Sequence, residues 1–526
     1  MSNDPPETLE PPEHRLGMIR FAGPGMIVAG SIVGSGELIA TTKTGAEAGF
    51  LLLWLIILGC VVKVFAQVEF GRYALSSGKT TLDALSEVPG PRVSGRGNWL
   101  VWYWFAMWFA SIGQLGGIVG GVGQSLAISI PLTAQGEAYN AAEDARIGQQ
   151  LMQVQSIQAD ADSDSIASEA AAAESLWAQY EATYGLDESD ASPKLRPPLD
   201  AKIWATITAV VTCVLLVVGR YRLIQTLSIS LVAGFTLLTI FNLFMLQAQP
   251  VWSVKWTEFL SGLRLSLPPD AGGVSPIVTA LATFGIIGVG AAELVVYPYW
   301  CLEKGYGRFT GPRDDSPQWH HRAKGWMRVM RVDAWGSMVV YTFATVVFYL
   351  LGAATLHRAG LNPSKDHMVR TLATMFHPVF GNWASVLFLF GAFAVLYSTY
   401  FVANASHART FSDAMRVMGF IDRDEQTRGR WIRLLSGIFP MLCLVLYLLY
   451  PNPVHLVLIS GLMQGLMLPM LAGAAIFFRY RRRIEGLEPG RLWDLFLWLS
   501  VVAMFITGIW TVWSNVAPAI KPYFGY

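Results

Sequence analysis

Eleven stretches of this chain are apolar for long enough to cross a lipid bilayer, and that property restricts what the chain can become. They centre on residues 21–46, 50–74, 99–131, 203–219, 223–247, 278–302, 332–356, 383–406, 432–450, 454–479 and 492–517. Hydrocarbon offers no partner to a backbone N–H or C=O, so runs of about 20 apolar residues that enter it must be helices. The expectation is an all-α integral membrane protein surrounded by membrane lipid. Composition agrees: 53% hydrophobic residues, 14% charged residues and 19 tryptophans among 526 exceed what a soluble core needs. A net charge of +1 points to no partner. No basic patch interleaved with aromatics stands outside the short loops, which speaks against nucleic acid. The opening segment, MSNDPPETLEPPEHR, is polar and Pro-rich, unlike a signal peptide. Cys60, Cys213, Cys301 and Cys443 lie in or beside apolar runs with no CxxC pair, and are expected as reduced, buried thiols.

Basic residues in the loops orient the spans. With the N-terminus inside, cytoplasmic segments hold about 26 of the 38 Lys and Arg, and external ones about 11. An odd number of spans then puts the C-terminus outside, in a cytoplasmic (inner) membrane. The expected organisation is a cytoplasmic tail over 1–20, helices 1–3 over 21–131 and a polar external insertion over 132–201. Helices 4 and 5 follow over 202–250, helices 6–10 over 278–480 and helix 11 over 490–518. The insertion is rich in Ala, Glu, Gln, Asp and Ser. It predicts a helical hairpin broken at DADSDS and ended by Pro197 and Pro198, a solvated cap on the membrane part.

Two heptapeptides interrupt the apolar pattern: VGSGELI, Val33–Ile39, and VGAAELV, Val289–Val295. They align without a gap, pairing Val33 with Val289, Gly34 with Gly290 and Glu37 with Glu293. One lies in the first span and the other in the sixth. Two sets of five helices have opposite directions through a membrane, an inverted repeat common among secondary transporters. A helix can unwind in hydrocarbon only where it faces protein or a wet cavity, and unwinding frees carbonyls for a cation. The segments around Gly34, Ser35, Val289, Gly290 and Ala292 are the expected unwound pieces, with Glu37 and Glu293 each opening a half-helix. Two facing carboxylates could hold a divalent metal cation through oxygen; alternatively, each caps its own half-helix. Gln114 and Gln464 could face the same cavity or bond between helices. Lys63, Gln67, Glu69 and Arg72 are expected to form a structural ion-pair network, and Asp333 to start the seventh helix. His320 and His321 lack further ligands for a metal site. No arrangement of nucleophile and base, and no phosphate loop, supports an enzyme, and no cofactor is expected.

GPGMIVAGSIVGSGELIATTKTGAEAGF, Gly23–Phe50, resembles the first helix of the Nramp (natural resistance-associated macrophage protein) family of divalent metal transporters. VEFGRYALSSGKTTLDAL, VGRYRLIQTLSISLVAGF and LISGLMQGLMLPMLAGAAIFFRY are similar to its second, fourth-to-fifth and tenth helices. The resemblance covers most of the chain outside 132–201 and the C-terminal tail. It implies eleven helices in a LeuT-like fold with helices 1 and 6 broken. The family's metal ligands are replaced: its Asp falls on Gly34, its Pro on Ser35, its Asn on Glu37 and its Met on Ala292. Its carbonyl-donating Ala falls on Val289, its sixth-helix His on Leu294 and its tenth-helix Gln on Gly461. Its third-helix acids fall on Gln114 and Gly117.

The reading is therefore a secondary transporter with a rebuilt site, moving a hard divalent cation such as magnesium or manganese by alternating access. The alternatives are a transporter of a small organic solute such as an amine, or a non-transporting sensor that keeps the fold.

Overall fold

The structure, a computed structural model, describes residues 8–93, 96–159, 163–187, 194–218, 221–269 and 275–516. After a short helix over Arg15–Phe21 the polypeptide forms helix α1 (Pro24–Ile32), a π-helical segment (Val33–Thr41), α2 (Thr42–Ala48) and α3 (Leu53–Ser77). Then come α4 (Trp99–Ser111) and α5 (Gly113–Ser129), followed by α6 (Ala134–Ala159) and α7 (Ser163–Tyr184) of the insertion. α8 (Asp200–Val218), α9 (Tyr221–Leu246), α10 (Pro276–Ile286) and α11 (Ala291–Lys304) lead to the long α12 (Pro317–Leu351). α13 (Ala384–Val417), α14 (Glu425–Leu449), α15 (Pro453–Arg481) and α16 (Arg491–Thr511) complete the bundle. Two antiparallel two-stranded ribbons lie outside it: Arg92–Val93 with Arg96–Asn98, and Leu186–Asp187 with Lys194–Leu195.

Among the described residues nine helices are long and apolar enough to cross a membrane, or ten if the bent pair Pro24–Gly30 and Val33–Ala48 is one span. The fifth expected run, 223–247, supplies a shorter apolar helix, Val232–Leu246. The chain is thus a multi-pass helical membrane protein. One continuous apolar cluster runs through the bundle, while the insertion has its own small core of Tyr139, Ala142, Tyr180 and Leu195.

The seventh expected span, 332–356, begins much earlier than its apolar residues suggest. α12 starts at Pro317, where Ser316 Oγ accepts from Trp319 N at 3.1 Å. Pro at the first helical position and a serine N-cap are strong start signals, and they outweigh the polarity of the next fourteen residues. Asp333 therefore does not open a helix. It is buried in the middle of α12 and accepts from Gly23 N at 2.8 Å, Gly25 N at 2.6 Å and Tyr297 Oη at 3.2 Å. It satisfies amides at the start of α1, a different helix.

The insertion is anchored at both ends. The buried Asp200 accepts from Leu132 N (2.6 Å), Thr133 N (3.1 Å) and Thr133 Oγ1 (2.7 Å). Arg370, between α12 and α13, donates to Asn140 Oδ1 at 2.5 Å and to Asn140 O at 3.3 Å. His367 Nδ1 lies 3.3 Å from Glu143 Oε2. Burial, with Arg370, Arg146 and Lys194 nearby, pushes the His367 imidazole down to about 4, so it is neutral at pH 7. α6 is thus docked onto the short helical turns over Lys365–His367 and Met368–Ala373. The expected helix break at DADSDS lies partly outside the described residues, as do residues 1–7 of the tail and 517–518 of the last domain.

Candidate functional site

The first half of the site lies on the π-helical segment. Residues Val33–Thr41 are all buried and keep helical winding, with a bend of 40° between the two parts of the first helix. The unwinding expected around Gly34 is absent, and Glu37 does not open a half-helix. The wider turns of a π-helix disturb the normal i→i−4 ladder, and threonines take up carbonyls there. Thr41 Oγ1 donates to Gly36 O at 3.0 Å, Thr42 Oγ1 to Glu37 O at 3.3 Å and Thr44 Oγ1 to Ala40 O at 2.8 Å. A strand-like gap in the helix is unnecessary when side chains of the same helix can satisfy it.

Glu37 is fully buried. Its Oε1 accepts from Thr345 Oγ1 of α12 at 2.9 Å, and its Oε2 has no hydrogen-bond partner among the described residues. Gly34 faces α13 so closely that a Cβ would stand 2.1 Å from Thr399 Oγ1. No carboxylate side chain fits at residue 34 while Thr399 is present. Gly117 is likewise filled: a Cβ there would stand 2.5 Å from Pro453 O of α15.

The second half lies between α10 and α11. Helical geometry ends at Ile286; Ile287 is extended (φ −79°, ψ 159°), Gly288 is left-handed (φ +57°) and Gly290 caps α11 (ψ 170°). A Cβ on Gly288 would also stand 2.8 Å from Cys60 Cα, so both conformation and space require glycine. Val289 and Gly290 are buried, whereas Ala292 and Glu293 in the first turn of α11 are partly accessible. The Glu293 side chain folds back over Gly290, where its Oε2 is 2.4 Å from the position a Cβ would take. Glu293 is near enough for its charge to act on Glu37.

A chain of polar side chains joins the two halves. Gln114 Nε2 of α5 donates to Ser35 Oγ at 2.7 Å. Gln464 Nε2 of α15 donates to Gln114 Oε1 at 2.6 Å, and Gln464 Oε1 accepts from Ala292 N at 3.1 Å. Ser460 Oγ lies 3.3 Å from Gln114 Oε1. Ser35, Gln114, Gln464 and Ala292, widely separated in sequence, thus form one connected line. Glutamine suits this role because its amide donates and accepts at once. Among the described residues no group of three or more His, Cys, Asp and Glu comes together. A cation here would draw on two carboxylates, amide and hydroxyl oxygens, and backbone carbonyls.

Lys63 departs from its expected network. Glu69 and Arg72 do pair, at 2.8 Å, with Glu69 Oε1 also accepting from Trp493 Nε1 at 2.8 Å. Lys63 instead points at the gap after α10, where Nζ donates to Phe284 O at 2.6 Å and Ile287 O at 2.7 Å. The signal was visible in sequence as a lysine inside an apolar run, a position rarely without purpose. Thr345 and Thr399 carried no such signal, because threonine is ordinary within spans.

These features define a class: a polytopic helical protein whose buried polar residues converge where one helix breaks and another changes its winding, the build of a membrane transporter. The profile of the Natural resistance-associated macrophage protein-like family (Nramp) matches residues 193–514, and the chain belongs to that family. The match begins within the last residues of the insertion and leaves the first helix, with its altered motif, outside it. Among solved structures, a mutant of the Eremococcus coleocola manganese transporter superimposes with a TM-score of 0.60 at 13% identity, covering 100% of this chain and 92% of that one. The same transporter in complex with an aromatic bis-isothiourea substituted compound gives a TM-score of 0.58 at 15% identity, with the same coverage. At such identity the likeness establishes the fold. No curated protein sequence matches this chain significantly.

Proposed function

We propose that this protein is a secondary transporter that carries a divalent metal cation, magnesium or manganese, by alternating access. The observation that supports this most is Glu37: a fully buried carboxylate with one oxygen unpartnered among the described residues, within reach of the charge of Glu293. A buried carboxylate oxygen left without a donor is costly unless something positive visits it. Glu37 and Glu293 would be the anionic ligands. Carbonyls near Val289 would complete the shell, with Gly34, Ser35, Gly290, Gln114 and Gln464 shaping it. All these donors are hard oxygens, and Ala292 offers no thioether. Family membership and the manganese transporters of like fold support a metal substrate.

The architecture in this reading has eleven helices in two inverted sets of five plus one, with the N-terminus cytoplasmic and the C-terminus external. Glu293 serves the first turn of a second half-helix, while Glu37 serves a helix that bends rather than breaks. Transport is not strictly coupled to protons, because Gln114, Gly117 and Leu294 stand where the resemblance would put protonatable groups.

The test is flux into proteoliposomes with magnesium, manganese and cadmium and a pH dye inside. Magnesium or manganese should enter without matched acidification. Cadmium selectivity with stoichiometric acidification would overturn the hard-ligand, uncoupled reading. Orientation is checked by single cysteines: those in 132–201 should react with an impermeant thiol reagent from outside, and those in 306–325 should not. A small organic amine is the second reading, favoured by the lack of any third acidic, histidine or cysteine ligand among the described residues. Absence of flux for all three metals, with stabilisation by an amine, would select it.

A further inference from the structure

Helix α10 ends inside the protein. The last carbonyls of a helix have no amide four residues ahead, and they carry its negative pole. At α10 the chain cannot supply the usual C-terminal cap, because it turns away through the extended Ile287 and left-handed Gly288. Phe284 O and Ile287 O therefore need a donor from elsewhere. Lys63 of α3 provides it. The residue is fully buried, its Nζ donates to both carbonyls at 2.6 and 2.7 Å, and it lies 5.0 Å from the centroid of the Phe284 ring. Two carbonyl oxygens and an aromatic face are the partners that a free ammonium or alkali cation selects. Both bonds go to backbone rather than to a carboxylate, so this is not an ordinary buried ion pair. The α3 backbone is pressed against the same gap, with Cys60 Cα 2.8 Å from the Cβ position of Gly288.

We propose that Phe284 O, Ile287 O and the Phe284 ring form a monovalent-cation site, which the chain keeps filled with its own Lys63 ammonium. The gap between α10 and α11 then needs no free sodium or potassium to hold it. The tether fixes one positive charge beside the region of Glu37 and Glu293, and any transported cation shares its surroundings with that charge. The inference rests on the carbonyl geometry and not on the identity of the substrate.

Removing the tethered cation should expose the site. In Lys63→Ala the lost atoms correspond to n-propylammonium. Thermal unfolding of the purified protein is to be followed in chloride salts of potassium, methylammonium, n-propylammonium and N-methyl-D-glucamine at equal ionic strength. The wild type should unfold within about 1 °C in all four. Lys63→Ala should fall by about 5 °C or more in N-methyl-D-glucamine and regain at least half in a small ammonium or potassium salt. Lys63→Met, which fills the space without a charge, should fall equally and regain nothing. A Lys63→Ala midpoint independent of the salt, high or low, overturns the proposal, as does a Lys63→Met protein as stable as wild type. Lys63→Ala protein recoverable only when prepared with a small ammonium salt counts for it, and protein unrecoverable in every salt counts against it. No substrate enters the assay, so failed metal flux leaves this result standing on its own.

Discussion

Val33–Ile39 and Val289–Val295 are written almost alike and built differently. In the first, backbone winding continues as a π-helix and threonines a turn further on take the carbonyls of Gly36, Glu37 and Ala40. In the second, winding stops at Ile286, and the loose ends are met by other helices: Lys63 takes the carbonyls behind the gap, and Gln464 takes the Ala292 amide ahead of it. The seven residues do not decide between these outcomes. What decides is whether donors lie on the same helix or arrive from neighbours. Glu37 ends up sealed and Glu293 partly accessible. One repeat thus presents a buried charge and the other a reachable one.

The largest effect should come from exploiting that difference. Glu37→Gln keeps the shape and the Thr345 contact but removes the sealed charge. Affinity for manganese, by calorimetric titration, should fall about 100-fold, near 2.8 kcal/mol. Glu293→Gln, at the more accessible of the two positions, should cost about tenfold. Both proteins should remain folded. Equal losses, or a larger one at Glu293, would break the distinction between a sealed and a reachable carboxylate. Unchanged affinity in the double variant would return both residues to capping.

A smaller but still large effect is expected on restoring the acid that the family resemblance would put at Gly34. Gly34→Asp forces a Cβ to within 2.1 Å of Thr399 Oγ1. Overpacking of this kind costs roughly 1–3 kcal/mol, seen as a lower midpoint of unfolding. Thr399→Ala alone should be mild, and the double variant Gly34→Asp/Thr399→Ala should recover most of the loss. Recovery would show that helix 1 gave up its acid together with the space for it. Full stability of Gly34→Asp alone would mean that the π-helical segment shifts easily, and the contrast with the rigid gap at Gly288 would weaken.

Hydropathy made most of the membrane helices legible, because burial in lipid leaves its mark on every residue of a span. It missed the start of α12, since PQWHHRAKGWMRVMR is polar and its helix is set by Pro317 and Ser316 rather than by apolarity. The same blindness made Asp333 look like a beginning. Candidate site residues were legible as polar groups inside apolar runs: Glu37, Glu293, Gln114, Gln464 and Ser35. Their connection was not, because Ser35–Gln114 and Gln114–Gln464 bonds span 79 and 350 residues of sequence. Lys63 was misassigned for a geometric reason. At about 100° per residue, Glu69 and Arg72 share a face of α3, whereas Lys63 lies roughly opposite Arg72. Sequence proximity suggested a network that helical rotation forbids.

The smallest effect tests the origin of the π-helical segment itself. If Thr41 and Thr42 hold it by taking the Gly36 and Glu37 carbonyls, the bonds at 3.0 and 3.3 Å should differ in worth. Thr41→Val keeps the branched shape and loses the better-placed donor, at about 1 kcal/mol; Thr42→Val should cost about 0.5 kcal/mol. The carbonyls would then look for other donors. Around the gap at α10 such donors come from other helices, but the Val33–Thr41 segment is fully buried and its Gly36, Glu37 and Ala40 carbonyls are taken by threonines of its own helix. The double variant should therefore do more than add two small losses: amides from Leu38 to Thr44 should exchange hydrogen faster, while those of α11 stay unchanged. Uniform exchange across both regions would mean that one set of contacts holds both heptapeptides. Unchanged exchange in both would mean that packing against α10, α12 and α13, rather than the threonines, keeps helix 1 wound.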